Sequence, residues 1–257
     1  MDFTSAPGPR KAIAVARCRL ARGRLLLEAL EQIRSFAAFE ALLAEPGPWA
    51  GGFDFPFGLP RELVLDLGLP RDWRALALHC GALSRADWRS LLERYRRVRP
   101  PGRKYAHRAT DLPAGSSSPM KLVNPPVALM FHEGAPRLAR SGVHVPGLAA
   151  GDPSRVALEA YPALDARRIV GRASYKNDAR DSVERRKARA RIVAAVDFDA
   201  PAALRRRLVE DASGDSLDAL LCAVQAARAW RRRAANFGLP QAVDPVEGWI
   251  AGLAADA

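Results

Sequence analysis

Two apolar segments of the sequence each carry one carboxylate followed closely by a proline. Asp54 lies in GGFDFPFGLPR, residues 51–61, and Glu159 lies in RVALEAYPAL, residues 155–164. Removing an unpaired charge from water costs roughly several kcal/mol, so a buried acid needs a cationic partner or a metal ion. Asp54 is therefore either a turn-forming residue or part of a site that holds positive charge.

A further pair of acids begins a helical segment late in the sequence. Asp215 and Asp218 are three residues apart in GDSLDALLCAVQAA, which places them on neighbouring faces of one helical turn. Asp215 also fits a helix N-cap, whereas Asp218 lies beside an apolar stripe. Asp2, Asp54 and Asp218 thus lie at expected strand or helix ends. Carboxylates so placed could hold Mg²⁺ or Mn²⁺, and two such ions can clamp the oxygens of a phosphoryl displacement.

Other site chemistries find no support in the sequence. No G-x-S-x-G, Walker P-loop or G-x-G-x-x-G motif occurs, so we expect neither a serine triad nor a nucleotide cofactor. The four histidines lack paired zinc spacing, and the three cysteines are too far apart for a metal or disulfide pattern. No signal peptide or long apolar span is visible. We therefore expect a cytoplasmic protein without a membrane partner.

Charge suggests a polyanionic partner. Forty basic residues against 28 acidic ones give a net charge of +12, which favours nucleic acid through counterion release. A basic surface that binds nothing, the product of a GC-rich coding sequence, is the alternative. Residues 94–108, RYRRVRPPGRKYAHR, interleave arginines with tyrosines, so we expect Arg97, Arg99, Arg103 and Lys104 to contact nucleic acid. A solvated helix end explains this segment equally well.

Periodicity predicts an α/β protein. Residues 12–20 alternate as a strand, and residues 25–34 suit a second strand or a helix. Ser35 caps an amphipathic helix over residues 35–45. With MDFTS as a short first strand, the order is strand, strand, strand, helix, strand. The remaining predicted elements are a strand at 49–55, a mainly helical and basic insertion at about 62–125, a strand at 155–164, and helices at 183–196, 201–211 and 214–234.

Five sequence motifs together resemble those of domain-of-unknown-function family 429, predicted nucleases with an RNase H-like fold. They are DFTSAP, GGFDFPFGLPR, LEAYPAL, SYKN and GDSLDALLCAVQAA. The resemblance implies one RNase H-like domain over residues 1–257, with a mixed five-stranded sheet flanked by helices and a helical insertion after strand four. It also implies metal ligation by Asp2, Asp54, Asp215 and Asp218. Glu159 would ligate or support the metal, and Lys176 would contact a phosphate.

The leading expectation is a nuclease that uses carboxylate-bound Mg²⁺ or Mn²⁺. The alternatives are a non-catalytic nucleic-acid-binding module of the same fold and, from another class, an actin-like phosphotransferase. One departure from the family pattern bears on activity. The family normally has several apolar residues before its first Asp, whereas Asp2 follows Met1 directly. Either the start lies upstream, or the first strand is shortened and holds Asp2 poorly.

Overall fold

The computed structural model describes residues 1–177 and 180–253 as a mixed α/β protein. The strands are β1 (Ile13–Ala21), β2 (Arg24–Ile33), β3 (Trp49–Phe53), β4 (Val143–His144) and β5 (Asp152–Glu159). The helices are α1 (Phe36–Leu43), α2 (Arg61–Asp66), α3 (Trp73–Ala82), α4 (Arg85–Val98), α5 (Asp111–Ala114), α6 (Val127–Ser141), α7 (Pro162–Val170), α8 (Val183–Ala195), α9 (Ala202–Glu210) and α10 (Asp215–Arg231).

The strands form an antiparallel pair and a parallel three-stranded sheet. β1 pairs with β2 along its whole length, with a bulge between Arg17 and Cys18. β3 and β4 flank β5, and both run parallel to it. Residues 25–34, which suited either a strand or a helix, form strand β2 up to Ile33 because they pair with β1. Its leucines at 25 and 27 are buried on one face, and this burial overrides their helix propensity.

Residues 1–2 connect the antiparallel pair to the parallel sheet. Asp2 forms an antiparallel bridge to Ala14 in β1 and a parallel bridge to Asp54, just after β3. The Asp2 N–H donates to the Ala14 carbonyl at 2.9 Å, and the Met1 ammonium donates to the Gly52 carbonyl at 2.8 Å. On the other side of Met1, β1 and β3 line an open cavity of about 480 Å³.

Two regions differ from the sequence-based expectation. The strand predicted over residues 155–164 ends at Glu159, and α7 begins at Pro162. A proline at the first helical position has a preset φ and no N–H to leave unpaired, so it starts a helix well. The helical region after β3 also runs beyond residue 125, because α6 extends to Ser141 and leads into β4. Neither α6 nor β4 was predicted.

The core lies on both sides of the sheets. Trp73, Trp88 and Phe131 fill the side covered by α3, α4 and α6, and the α10 leucines fill the other. The predicted apolar stripe of α10 is confirmed, since its leucines at 217, 220 and 221 are fully buried. Ser35 caps α1 as predicted and accepts the Ala38 N–H at 3.2 Å. Among the described residues, no helix combines the length and apolar character needed to cross a bilayer.

Candidate functional site

Three carboxylates from distant parts of the sequence converge where the two sheets join. Asp2, Asp54 and Asp218 each offer an oxygen atom, and these atoms lie within 4.8 Å of one another. Asp2 belongs to the connecting segment, Asp54 follows β3, and Asp218 lies in the first turns of α10. Asp218 is fully buried and Asp2 is 9% exposed. The convergence that the sequence predicted for these three acids is present.

Two glycines allow the close packing that brings these acids together. A Cβ atom on Gly52 would lie 2.3 Å from the carbonyl oxygen of Cys222, so only glycine lets α10 approach β3 this closely. Gly214, with φ of +76°, precedes α10, and a Cβ there would lie 2.7 Å from the Cβ of Lys176. Gly214 lies one helical turn before Asp218, and Cys222 lies one turn after it. The backbone therefore fixes the position of the Asp218 carboxylate.

Asp218 has two side-chain partners. The Tyr175 hydroxyl donates to its Oδ1 at 2.6 Å, and the Lys176 ammonium donates to its Oδ2. Tyr175 is buried, whereas the Lys176 side chain is 44% exposed. Desolvation is the largest single effect and opposes the charge on Lys176, but Asp218, Tyr175 and Asp2 together outweigh it and raise the lysine pKa above its ordinary value. Lys176 therefore stays charged and partly neutralises the three acids.

The other two acids are poorly stabilised as anions. Burial, followed by the charge of Asp218, raises the pKa of Asp54 to about 7. Burial and the neighbouring carboxylates Asp218 and Asp54 raise the pKa of Asp2 well above its ordinary value. Lys176 lowers both pKa values but does not offset these effects. Such shifts arise where carboxylates are crowded away from water, as they are at many functional sites.

Asp215 lies outside the group of three, although the family resemblance implied that it is a metal ligand. Its Oδ1 accepts the Lys11 ammonium at 2.9 Å. The N-cap role considered for it is wrong, because Gly214 occupies the cap position and Asp215 is the first residue of α10. Asp215 thus couples the loop before β1 to the start of the helix that carries Asp218.

Glu159 is held by an arginine instead of joining the three aspartates. Arg108 donates to both of its oxygens, at 2.7 and 2.8 Å, and also to Asp111 at 2.9 Å. All three side chains are buried, and the Phe57 N–H adds a third hydrogen bond to Glu159 at 2.9 Å. Burial raises the pKa of Glu159, and Arg108 counteracts this. The arrangement favours a structural role, tying the helical region after β3 to the end of β5.

The predicted nucleic-acid contacts of the basic segment are partly used within the segment itself. Arg99 binds Glu62 at 2.8 Å, and its guanidinium donates to the Tyr95 hydroxyl at 2.6 Å. The Lys104 ammonium donates to the backbone carbonyls of Arg97 and Arg99. The side chains at 97 and 103 are exposed. Only these two of the four predicted contacts therefore point freely toward solvent.

An open cavity of about 570 Å³ lies over two of the three acids, Asp2 and Asp54, while Asp218 is fully buried behind its lining. Asp2, Asp54, Tyr175 and Lys176 line it, together with Arg108 and Glu159 at one side. Of residues 94–108, only Arg108 belongs to this lining among the described residues. The cavity thus gives a ligand direct access to Asp2, Asp54 and Lys176.

The donor set suits a hard divalent cation. All three side chains offer carboxylate oxygens, which Mg²⁺ and Mn²⁺ prefer over nitrogen or sulfur. Octahedral Mg²⁺ holds its ligands at about 2.1 Å, so opposite ligands are about 4.2 Å apart. Three ligands of one octahedral ion include adjacent pairs about 3.0 Å apart, so oxygen atoms within 4.8 Å of one another would close by up to about 1.8 Å. Asp2, Asp54 and Asp218 fit such an ion.

Sequence reasoning missed three residues of the site. Tyr175 binds Asp218, Lys11 binds Asp215, and Arg108 binds Glu159. Tyr175 stands next to Lys176 in the SYKN motif, so a tyrosine beside a candidate site lysine was a usable signal. Lys11 and Arg108 carry no comparable signal, because they stand in basic stretches whose other members look the same.

Fold and site together define a mixed α/β protein with a three-carboxylate centre, two of whose acids line a cavity. The chain belongs to the family described as "Protein of unknown function (DUF429)", whose family model matches residues 1–242. This confirms the family resemblance of the sequence motifs. No curated protein and no solved structure matched the chain.

Proposed function

We propose that this protein is a metal-dependent nuclease that hydrolyses phosphodiester bonds. The observation that carries the proposal is the convergence of Asp2, Asp54 and Asp218, with ligand oxygens within 4.8 Å, next to an open cavity that Asp2 and Asp54 line. The charge of +12 supports a polyanionic substrate. A cytoplasmic location belongs to the same proposal, supported by three cysteines that are free thiols.

The strand arrangement supports an RNase H-like core. If residues 1–2 are counted as a first strand, the bridges of Asp2 place it between β1 and β3. The spatial order is then β2, β1, first strand, β3, β5, with antiparallel pairing among the first three and parallel pairing thereafter. A three-stranded meander followed by a helix and two more strands is the core that the family resemblance implies. β4 extends the sheet beyond β5.

The side chains of the site have two roles, metal binding and phosphate binding. Asp2, Asp54 and Asp218 would hold Mg²⁺ or Mn²⁺, which when bound activates a water molecule and neutralises charge on the phosphate. Asp54, with a pKa of about 7, is partly protonated near neutral pH and would give up that proton on becoming a ligand. The pKa of Asp2 is raised as well, by burial and by its neighbouring carboxylates. If a metal ion neutralised Asp218, the exposed Lys176 ammonium would be available to bind a phosphate oxygen.

A specific contact favours the second candidate, a nucleic-acid-binding module without turnover. Lys176 already neutralises Asp218 within the chain, so the centre has an internal cation in the position where a metal would add charge. This candidate predicts salt-sensitive binding and no cleavage with any divalent ion. The two candidates differ in one measurable property, which is hydrolysis.

Cleavage assays on a matched pair of variants test the proposal. Labelled single-stranded, duplex and branched DNA and RNA are incubated with Mn²⁺ and either the wild type, Asp54→Asn or Asp197→Asn. Asp197 is an exposed aspartate that does not line the cavity, so its variant controls for the loss of one carboxylate. We expect the wild type and Asp197→Asn to cut at least one substrate and Asp54→Asn to cut none. Equal cleavage by all three proteins would refute the mechanism.

A further inference from the structure

A second polar cavity adjoins the one over Asp2 and Asp54. Its volume is about 470 Å³, and it shares Lys11, Ser213 and Asp215 with the first cavity. Its other walls come from the loop before β1, the end of β2, α9 and the turn before α10. The two cavities are therefore adjacent, and the Lys11–Asp215 ion pair lines both of them.

The lining of this second cavity carries excess positive charge. Its cationic residues are Arg10, Lys11, Arg34 and Arg207, and its acids are Asp211 and Asp215. Both acids already have partners within the chain. Asp215 binds Lys11 at 2.9 Å, and Asp211 accepts the Ser213 hydroxyl at 2.6 Å and the Ser216 N–H at 2.9 Å. The arginines are left without an acid of the lining bound to them among the contacts described.

The arginines of this cavity contact neutral groups or solvent. Arg34 donates to the Gln32 side-chain oxygen at 2.6 Å, and Arg207 donates to the Leu30 carbonyl at 3.0 Å. Arg10 is exposed. A neutral partner orients a guanidinium without cancelling its charge, so these side chains keep their capacity to bind phosphate oxygens.

On the basis of the proposed nuclease function, we propose that this cavity holds the phosphates of the substrate strand next to the scissile one, chiefly through Arg10 and Arg34. No aromatic side chain lines it among the described residues, so it offers no surface on which bases could stack. The proposed contacts therefore involve only the phosphates of the nucleic acid and are independent of base sequence. This cavity replaces the segment at residues 94–108 as the main nucleic-acid contact.

Binding without metal tests this inference separately from cleavage. Fluorescence anisotropy of labelled DNA and RNA oligonucleotides is measured in EDTA over a range of NaCl concentrations. The variants are the double mutant Arg10→Gln, Arg34→Gln and a matched double mutant, Arg97→Gln, Arg103→Gln. All four arginines are exposed, so neither pair of changes disturbs the core.

We expect the first double mutant to bind about tenfold more weakly and to lower the slope of log K against log salt by about 1.4 to 1.8. The second should bind like the wild type, and two oligonucleotides of equal length but different sequence should bind equally. The opposite ranking of the two mutants, or equal binding by all proteins, overturns the inference. Loss of binding in the first mutant combined with no Mn²⁺-dependent cleavage by the wild type would refute the nuclease proposal and retain this binding site.

Discussion

Replacing Asp54 with asparagine should stabilise the metal-free protein while removing its metal ligand. The pKa of Asp54 is about 7 in the folded protein, against an ordinary value of 3.8. Asparagine resembles the protonated carboxyl in shape and carries no charge, so it avoids the cost of ionising this buried group. Asp54→Asn is thus expected to oppose the usual trend, in which a substitution at a buried site lowers stability.

The size of the effect follows from the pKa shift. A difference of about three pKa units corresponds to about 4 kcal/mol at a pH above both values. Because Asp54 shares its charge environment with Asp2 and Asp218, we expect a gain of about 2 to 4 kcal/mol at pH 8. For a chain of this size that is on the order of 4 to 16 °C in melting temperature.

The sign of the pH dependence is fixed by the direction of the shift. Between pH 4 and pH 7 the folded state holds the Asp54 proton more tightly than the unfolded state does, so raising the pH removes stability from the wild type. Asp54→Asn has no carboxyl to ionise at this position, so it does not lose this stability as the pH rises. Its advantage should therefore be small at pH 4, grow up to about pH 7 and stay constant above it.

Thermal unfolding in EDTA at several pH values measures this difference directly, with Asp197→Asn as the control. Added Mn²⁺ should raise the melting temperature of the wild type and of the control but not that of Asp54→Asn. A variant that is less stable than the wild type at pH 8, or a gain that does not depend on pH, would refute the electrostatic reasoning.

Three further expectations follow from the same structure. Mn²⁺ binding should release protons and strengthen between pH 5 and 8, which calorimetry in two buffers of different ionisation heat detects; binding without proton release would contradict the raised pKa values of the acids. Arg108→Gln should lower the free energy of unfolding in urea by about 3 to 5 kcal/mol, because it leaves Glu159 and Asp111 buried without their cation; a loss below about 1 kcal/mol would show that the ion pair contributes little. Four apolar, β-branched residues added before Met1 should raise the melting temperature by extending the pairing between β1 and β3, whereas a glycine–proline extension of equal length should not.

The sequence predicted the elements that depend on local patterns. Alternation located β1, the capping serine located α1, and the apolar stripe located α10, because each pattern is written in neighbouring residues. The boundary between β5 and α7 was wrong, since the apolar run continues through the turn and only Pro162 marks the change. The helix α6 was missed although its apolar residues follow a helical period, because Gly134 and Pro136 interrupt it, and the two residues of β4 are too few to show a period.

The candidate site divides in the same way. Asp2, Asp54 and Asp218 could be grouped from their positions at element ends and from the family resemblance. Their partners could not, because the contacts of Lys176 and Tyr175 with Asp218 depend on the path of the chain after α7. The prediction that residues 94–108 contact nucleic acid was misleading for a related reason. Composition counts charges, but it does not reveal that a residue such as Arg99 is already bound to an acid nearby.

A crystal structure of the protein soaked in Mn²⁺, with anomalous scattering measured for the metal, tests the central claim most directly. We expect an anomalous peak in contact with Asp2, Asp54 and Asp218, with the Lys176 ammonium moved away from Asp218. A fully soaked crystal with no peak between these carboxylates, and with Lys176 still bound to Asp218, would contradict it.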